Sequence, residues 1–231
     1  MKFIQNYWLL ILGIILLPCS DTKISSSDNL ILNIMQQESN NKKVENVTKN
    51  KTIDTAIFAG GCFWCVEGQF KLLEGVINVK SGYIGGKVPN PSYELVCTGT
   101  TQHAEAARIE FDPEKISYDE LLAAFFMAHD PTQLNRQGND VGTQYRSAIF
   151  PINEEQKNLA SFYIKKLNEE KVYSNPIVTS IEWGHKFYEA ENYHDDYYSR
   201  NPDKPYCQIV VKPKVEHFRK VFADKLKENA K

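Results

Sequence analysis

Apolar residues along this chain recur first at two-residue and then at three- to four-residue steps, and that alternation predicts short strands and helices from about Ile53 to Lys225. Ile53–Phe58 reads as a strand ending at Gly60-Gly61. Cys62–Leu73 follows as a helix, on which Phe63, Val66, Phe70 and Leu73 recur at helical spacing. Val76–Tyr83 predicts a second strand that runs into the Gly- and Pro-rich loop Gly85–Pro91. Ala104–Phe111 predicts a third, stopped by Asp112-Pro113. Ser117 opens a helix with Glu120 placed for a capping box, and Leu121, Leu122, Phe125 and Phe126 form its buried stripe. Tyr145–Phe150 predicts another strand, Asn153 and Gln156 a capped helix to about Leu167, and Ile177–Ile181 a last strand. A Tyr-rich segment and a terminal helix from Val215 complete the pattern. The mixture predicts an α+β sandwich without internal repeats or a second catalytic domain.

The first fifty residues break this rhythm. Lys2 precedes an apolar run, Tyr7–Leu17, too short to span a bilayer of about 30 Å. A positive start followed by such a run predicts an export signal over residues 1–20. Leu16-Leu17-Pro18-Cys19-Ser20 resembles a bacterial lipoprotein signal with Cys19 as the lipidated residue, although Pro18 stands where a small residue is expected. Lipidation, plain cleavage and a retained anchor all stay open. Residues 21–51 are polar, rich in Ser, Asn and Lys, and lack an apolar period; they predict a disordered tether, in which Leu30–Met35 alone leaves open a turn of helix. Residues 52–231 then form the folded domain, in the periplasm or cell envelope.

Composition agrees with a soluble globular domain: 42% apolar and 24% charged. A net charge of -2 provides no field to hold a nucleic acid backbone. Besides Cys19 there are Cys62, Cys65, Cys97 and Cys207. In an exported protein these could close two structural disulfides, but about 170 residues with many aromatics can bury a core without them.

The chemistry concentrates at Gly60-Gly61-Cys62-Phe63-Trp64-Cys65. A cysteine where a strand meets a helix N-terminus lies among unpaired N–H groups, whose partial positive charge favours the nucleophilic thiolate. Cys65 follows one turn on. Cys-x-x-Cys also occurs in thiol–disulfide exchange proteins and in half of a zinc site, but the second close pair that zinc wants is missing: His185 and His194 are nine residues apart. No metal is expected. On the Ala104–Phe111 strand, alternation puts Glu105, Ala107, Ile109 and Phe111 on one inward face. A carboxyl group buried there stays protonated near neutral pH and can act as a general acid.

Gly61-Cys62-Phe63-Trp64-Cys65 resembles the signature of the A-type peptide methionine sulfoxide reductases. Further matches follow in that family's order: Pro91-Ser92-Tyr93, His103-Ala104-Glu105, Gly138–Ser147, Glu191–Tyr197 and Asn201–Cys207. Gln102 departs from the Gly often found there. The resemblance implies a two-layer mixed sheet with packed helices, a ferredoxin-like core and long C-terminal loops. It implies thiol-dependent reduction of methionine S-sulfoxide, free or in proteins, with the S preference carried by resemblance alone. Cys62 would attack sulfur, Glu105 protonate the oxygen, and Tyr93 and Tyr145 donate hydrogen bonds to it. Phe63 and Trp64 would wall in the S-methyl group, and Asp140 bind the substrate backbone or order the pocket; His194 and Tyr197 would support it. Cys207, in a segment predicted to be mobile beyond Asn201-Pro202, would resolve the oxidised Cys62. Cys65 would share that role or stand by, and Cys97, in a loop, would be inert. A thioredoxin-like protein or a dithiol would recycle a monomer that needs no metal or organic cofactor. A thiol–disulfide exchange enzyme built on Cys62 and Cys65 remains an alternative; a non-catalytic binding module leaves the buried acid unexplained.

Overall fold

A computed structural model describes residues 25–42 and 53–230. The export signal with Cys19, and residues 43–51 of the expected tether, lie outside the described residues. Helix α1 (Ser26–Lys42) corrects the tether reading. Ile31 and Ile34, three apart on one helical face, are buried in the main core, and Asp28 meets His217 at 3.2 Å. A short apolar stripe that finds a partner surface orders a segment whose composition is polar.

The domain proper begins with β1 (Asp54–Gly60), α2 (Phe63–Phe70), β2 (Val76–Ile84) and a short helix, α3 (Tyr93–Cys97). It continues through β3 (Ala104–Phe111), α4 (Tyr118–Ala128), the small hairpin β4 (Arg136–Gln137) and β5 (Asp140–Val141), then β6 (Ser147–Ile149) and α5 (Glu154–Glu169). Two-residue strands β7 (Ser180–Ile181) and β8 (Tyr188–Glu189), α6 (Tyr197–Arg200) and α7 (Lys212–Val221) follow. The capping box is formed: Ser117 Oγ accepts from Glu120 N–H and the Glu120 carboxylate accepts from Ser117 N–H. Asn153 caps α5 by accepting from Gln156 N–H.

The sheet order is β7-β6-β1-β3-β2-β8. Its four central strands, β6-β1-β3-β2, are antiparallel, with α2 and α4 as crossovers, which is the ferredoxin-like arrangement. The parallel edge strand β7 makes the sheet mixed. Ala56 and Phe58 face the helices, where Phe58 stacks on Phe125 at 4.9 Å between ring centres. Ile57 and Ala59 point the other way, into a smaller cluster with Phe150 that Phe187 covers.

Three expectations need correction here. The strand expected at Tyr145–Phe150 is a 3-10 turn, Thr143–Tyr145, followed by the shorter β6, because Gly142 at φ 144° bends the chain. The strand expected at Ile177–Ile181 pairs only over its last two residues, since Val178 N–H is taken by the Pro131 carbonyl. The terminal helix starts before Val215. Cys207, Val211 and Val215, at four-residue steps, bury one stripe and carry a π-helical turn, Cys207–Val211, straight into α7. Cys207 is therefore fully buried, and the segment that carries it is helical rather than a loose loop.

Candidate active site

Gly61 decides how β1 turns into α2. Its φ is +89°, and a Cβ there would stand 2.6 Å from Gln137 Cβ, so only glycine fits. The turn sets Cys62 at the N-cap of α2, 5% exposed. Because β1 and β3 run antiparallel, with Phe58 opposite Ala107, the end of β1 lies beside the start of β3, where Glu105 sits. Glu105 is 1% exposed, and its Oε2 accepts from Phe63 N–H at 3.1 Å, the first turn of α2. Thus Cys62 and Glu105 meet at one helix end.

Both border a cavity of about 410 Å³. Of the residues expected from sequence, Trp64, Tyr93, Tyr145, Asp140 and Tyr197 also line it. Phe63 does not. Its ring is fully buried behind the cavity with Tyr83 and Val96, because the first position of α2 points inward, and only its backbone N–H reaches the site. His194 is also behind the wall: its Nδ1 accepts from Trp64 Nε1–H at 3.0 Å, so in the neutral ring the proton is on Nε2. Tyr197 stacks on Trp64 at 3.8 Å between ring centres, nearly parallel.

Three lining residues from the Asn201–Cys207 motif had been given no role from sequence: Lys204, Pro205 and Tyr206. Tyr206 OH donates to Asp140 Oδ2 at 2.6 Å and is in hydrogen-bond contact with the Cys62 thiol. Its one signal in the sequence was its place beside Cys207. Two acids serve as anchors whose role was not read from the sequence. Glu191 accepts from Tyr93 N–H at 2.9 Å and from Tyr83 OH at 2.8 Å, which fixes the start of α3. Glu67, buried on α2, pairs with Lys71 at 2.8 Å and accepts from Asp196 N–H at 3.0 Å. That bond holds the left-handed residue from which α6 starts.

Burial dominates the electrostatics. It pushes the Glu105 carboxyl well above the usual range, Cys62 adds to the push, and the Phe63 N–H opposes it. Glu105 is thus held protonated, as its inward face predicts. Burial, with the adjoining Cys65 thiol, also pushes Cys62 well up, against the pull of Tyr206 and Trp64 N–H. Burial and the N-terminus of α2 thus act on the Cys62 thiol in opposite directions. The Cys65 thiol, hydrogen-bonded to Cys62, is held low, so the two titrate as a pair in which ionising one discourages the other. Burial likewise raises Tyr93 and Tyr145, which stay neutral donors.

Cys62, Cys65 and Cys207 form one buried cluster with Val211 and Val215, and all three are free thiols. Cys97 is the exposed last residue of α3 rather than part of a loop, and its thiol is in hydrogen-bond contact with Tyr93. Among the described residues no three His, Cys, Asp or Glu side chains gather as metal ligands.

A three-thiol cluster beside a neutral buried acid, on a ferredoxin-like sheet, defines a thiol oxidoreductase of α+β architecture. Comparison with known proteins makes this specific. The family model for peptide methionine sulfoxide reductase matches residues 54–226. The chain is 57% identical over 174 residues to the peptide methionine sulfoxide reductase MsrA of Deinococcus radiodurans, covering 75% of this chain and 84% of that one. Its identity to the protein of that name from Nitratiruptor sp. is 56% over 173 residues, covering 75% and 98%. Among solved structures, reduced Mxr1 of Saccharomyces cerevisiae aligns with a TM-score of 0.61 at 34% identity, covering 70% of this chain and 92% of that one. Methionine sulfoxide reductase A of Corynebacterium diphtheriae gives 0.58 at 34%, covering 68% and 79%. The chain belongs to the peptide methionine sulfoxide reductase family.

Proposed function

We propose that this protein reduces methionine S-sulfoxide, free or in proteins, with Cys62 as nucleophile and Glu105 as general acid. One observation carries the reading: a buried thiol and a buried protonated carboxyl face one aromatic-walled cavity, joined through Phe63 N–H. The sulfoxide would bring a positive sulfur to Cys62 and a negative oxygen to Glu105, Tyr93 and Tyr145. A thiol kept neutral in the empty site would then ionise in its presence.

In the reaction Cys62 sulfur bonds to the oxidised sulfur and Glu105 delivers its proton to the oxygen. The protonated oxygen passes to the Cys62 sulfur as its bond to the methionine sulfur and the new sulfur–sulfur bond both break, leaving methionine and a sulfenic acid on Cys62. The proton lost by the Cys62 thiol restores Glu105. Trp64, stacked on Tyr197, offers the apolar wall for the S-methyl group, and Asp140, held by Tyr206, the polar one for the backbone. Cys207 condenses with the sulfenic acid, releasing water and forming a disulfide. A thioredoxin-like dithiol reduces that disulfide and takes up the two-electron oxidation. Residues 1–20 would direct the enzyme to the periplasm or envelope, where it repairs oxidised proteins.

Contact between the Cys62 and Cys65 thiols favours a second reading, general thiol–disulfide exchange. Turnover of a sulfoxide-containing peptide by the reduced protein, with Cys62→Ser as blank and Cys65→Ser as comparison, separates the two. Reduction that survives in Cys65→Ser and vanishes in Cys62→Ser supports the reductase. Loss in both supports exchange.

A further inference from the structure

The cavity rim carries one positively charged side chain, Lys204. The turn presenting it is tied on both sides: Lys204 N–H donates to the Asn201 carbonyl at 3.2 Å, and its own carbonyl accepts from Gln208 N–H at 3.0 Å. Pro205 follows, its φ set by the ring, and then Tyr206, pinned to Asp140 at 2.6 Å. Lys204 therefore leaves a fixed backbone at the mouth of the site. Among the described residues no carboxylate pairs with it, whereas Lys71, Lys80 and Lys115 each hold one. Asp140, the acid lining the same cavity nearest the backbone side, is held at 2.6 Å by the Tyr206 hydroxyl and forms no ion pair with Lys204 among the described residues. A ligand whose methionine side chain fills the cavity leaves its backbone at this rim, beside a cation that no carboxylate pairs with among the described residues.

We propose that Lys204 makes the site prefer sulfoxides carrying a carboxylate beside the methionine backbone. That carboxylate is either the α-carboxylate of a free or C-terminal methionine sulfoxide or the side chain of an acidic residue that follows it. The inference rests on the reductase reading above and deepens it to substrate selection. Because the cation is solvated, its effect is modest, roughly two- to fivefold in kcat/KM, and it shrinks with added salt.

The test compares kcat/KM within two substrate pairs, using the full protein and a dithiol reductant. One pair is N-acetylmethionine sulfoxide and its N-methylamide. The other is N-acetylmethionine sulfoxide linked to aspartate or to asparagine, both C-terminally amidated. The first pair reads an α-carboxylate and the second an acidic neighbour. Each ratio cancels any general loss of activity in a variant. At least one acid-to-neutral ratio should exceed unity in the wild type, fall toward one in Lys204→Gln, and invert in Lys204→Glu. Ratios near one in the wild type, or ratios unchanged by both substitutions, overturn the proposal while leaving the reductase standing. No turnover of any of the four compounds overturns both.

Discussion

The candidate active site is assembled from two regions built on different principles. One is the sheet with its crossovers: β1, β3, α2 and α4 place Cys62 and Glu105 through regular ladders, capped helix starts and one obligatory glycine. The other is the strap of residues 190–211, which contains little more than short helical turns and supplies Tyr197, Lys204, Tyr206 and Cys207. Side chains rather than a backbone ladder hold much of it in place: Glu67 on Asp196, Trp64 on His194, Tyr206 on Asp140, and Glu191 on Tyr83 and the start of α3. A ladder tolerates the loss of any one side chain. A strap held by single buried bonds does not, so changes in the two regions should fail in different ways.

The strongest break lies on the sheet. Glu105→Gln should lower kcat by about 10²–10⁴-fold, read in steady-state reduction of a sulfoxide peptide. The same change should raise the melting temperature, and by more at pH 8 than at pH 5. Burial keeps Glu105 protonated in the folded protein, whereas an unfolded chain releases that proton near pH 4.3. Glu105 therefore costs the native state increasingly as pH rises from there toward its raised folded value. A stability gain that shrank with pH would contradict the buried neutral acid.

On the strap, Cys207→Ser should leave a single equivalent of methionine formed by the reduced protein but lower thioredoxin-coupled turnover by at least about tenfold. Undiminished coupled turnover would transfer the resolving role to Cys65. Tyr206→Phe removes the bond to Asp140 and should cost roughly tenfold in kcat/KM. Glu67→Ala should destabilise the protein by about 1–3 kcal/mol in urea unfolding and change Trp64 fluorescence, because it frees Asp196 and hence Tyr197. The mildest change sharpens the contrast from the sheet side. Ser117→Ala, which loses only the α4 cap, should cost about 1 kcal/mol in the same unfolding experiment and leave kcat as it was.

The sheet half was largely legible in the residue pattern itself. The period-2 placement of Ala107, Ile109 and Phe111 named the inward face of Glu105, and the Ser117–Glu120 and Asn153–Gln156 pairs marked helix starts that the fold uses. Legibility failed where neighbours distant in sequence decide the outcome. Phe63 looked like a pocket wall and packs behind it, because Tyr83 and Val96 receive its ring. Residues 26–42 looked like tether, since two isoleucines in a polar stretch carry no signal until α4 and α7 offer a surface. Cys207 looked mobile because Asn201-Pro202 outweighed the quieter stripe Cys207–Val211–Val215.

From the amino-acid order alone came the candidate nucleophile and acid and the family, with the ferredoxin-like core that its resemblance implies, because these rest on local signals: period, a Gly-Gly turn and short motifs in fixed order. Tertiary structure alone decided how the thiols meet and how the site is enclosed. Whether Cys62 rests as thiol or thiolate depends on how much water the strap excludes and how close Cys65 lies, and which side chains close the cavity depends on hydrogen bonds spanning up to 130 residues of chain. Desolvation and long-range bonding are properties of neighbours in space, and no spacing along the chain records them.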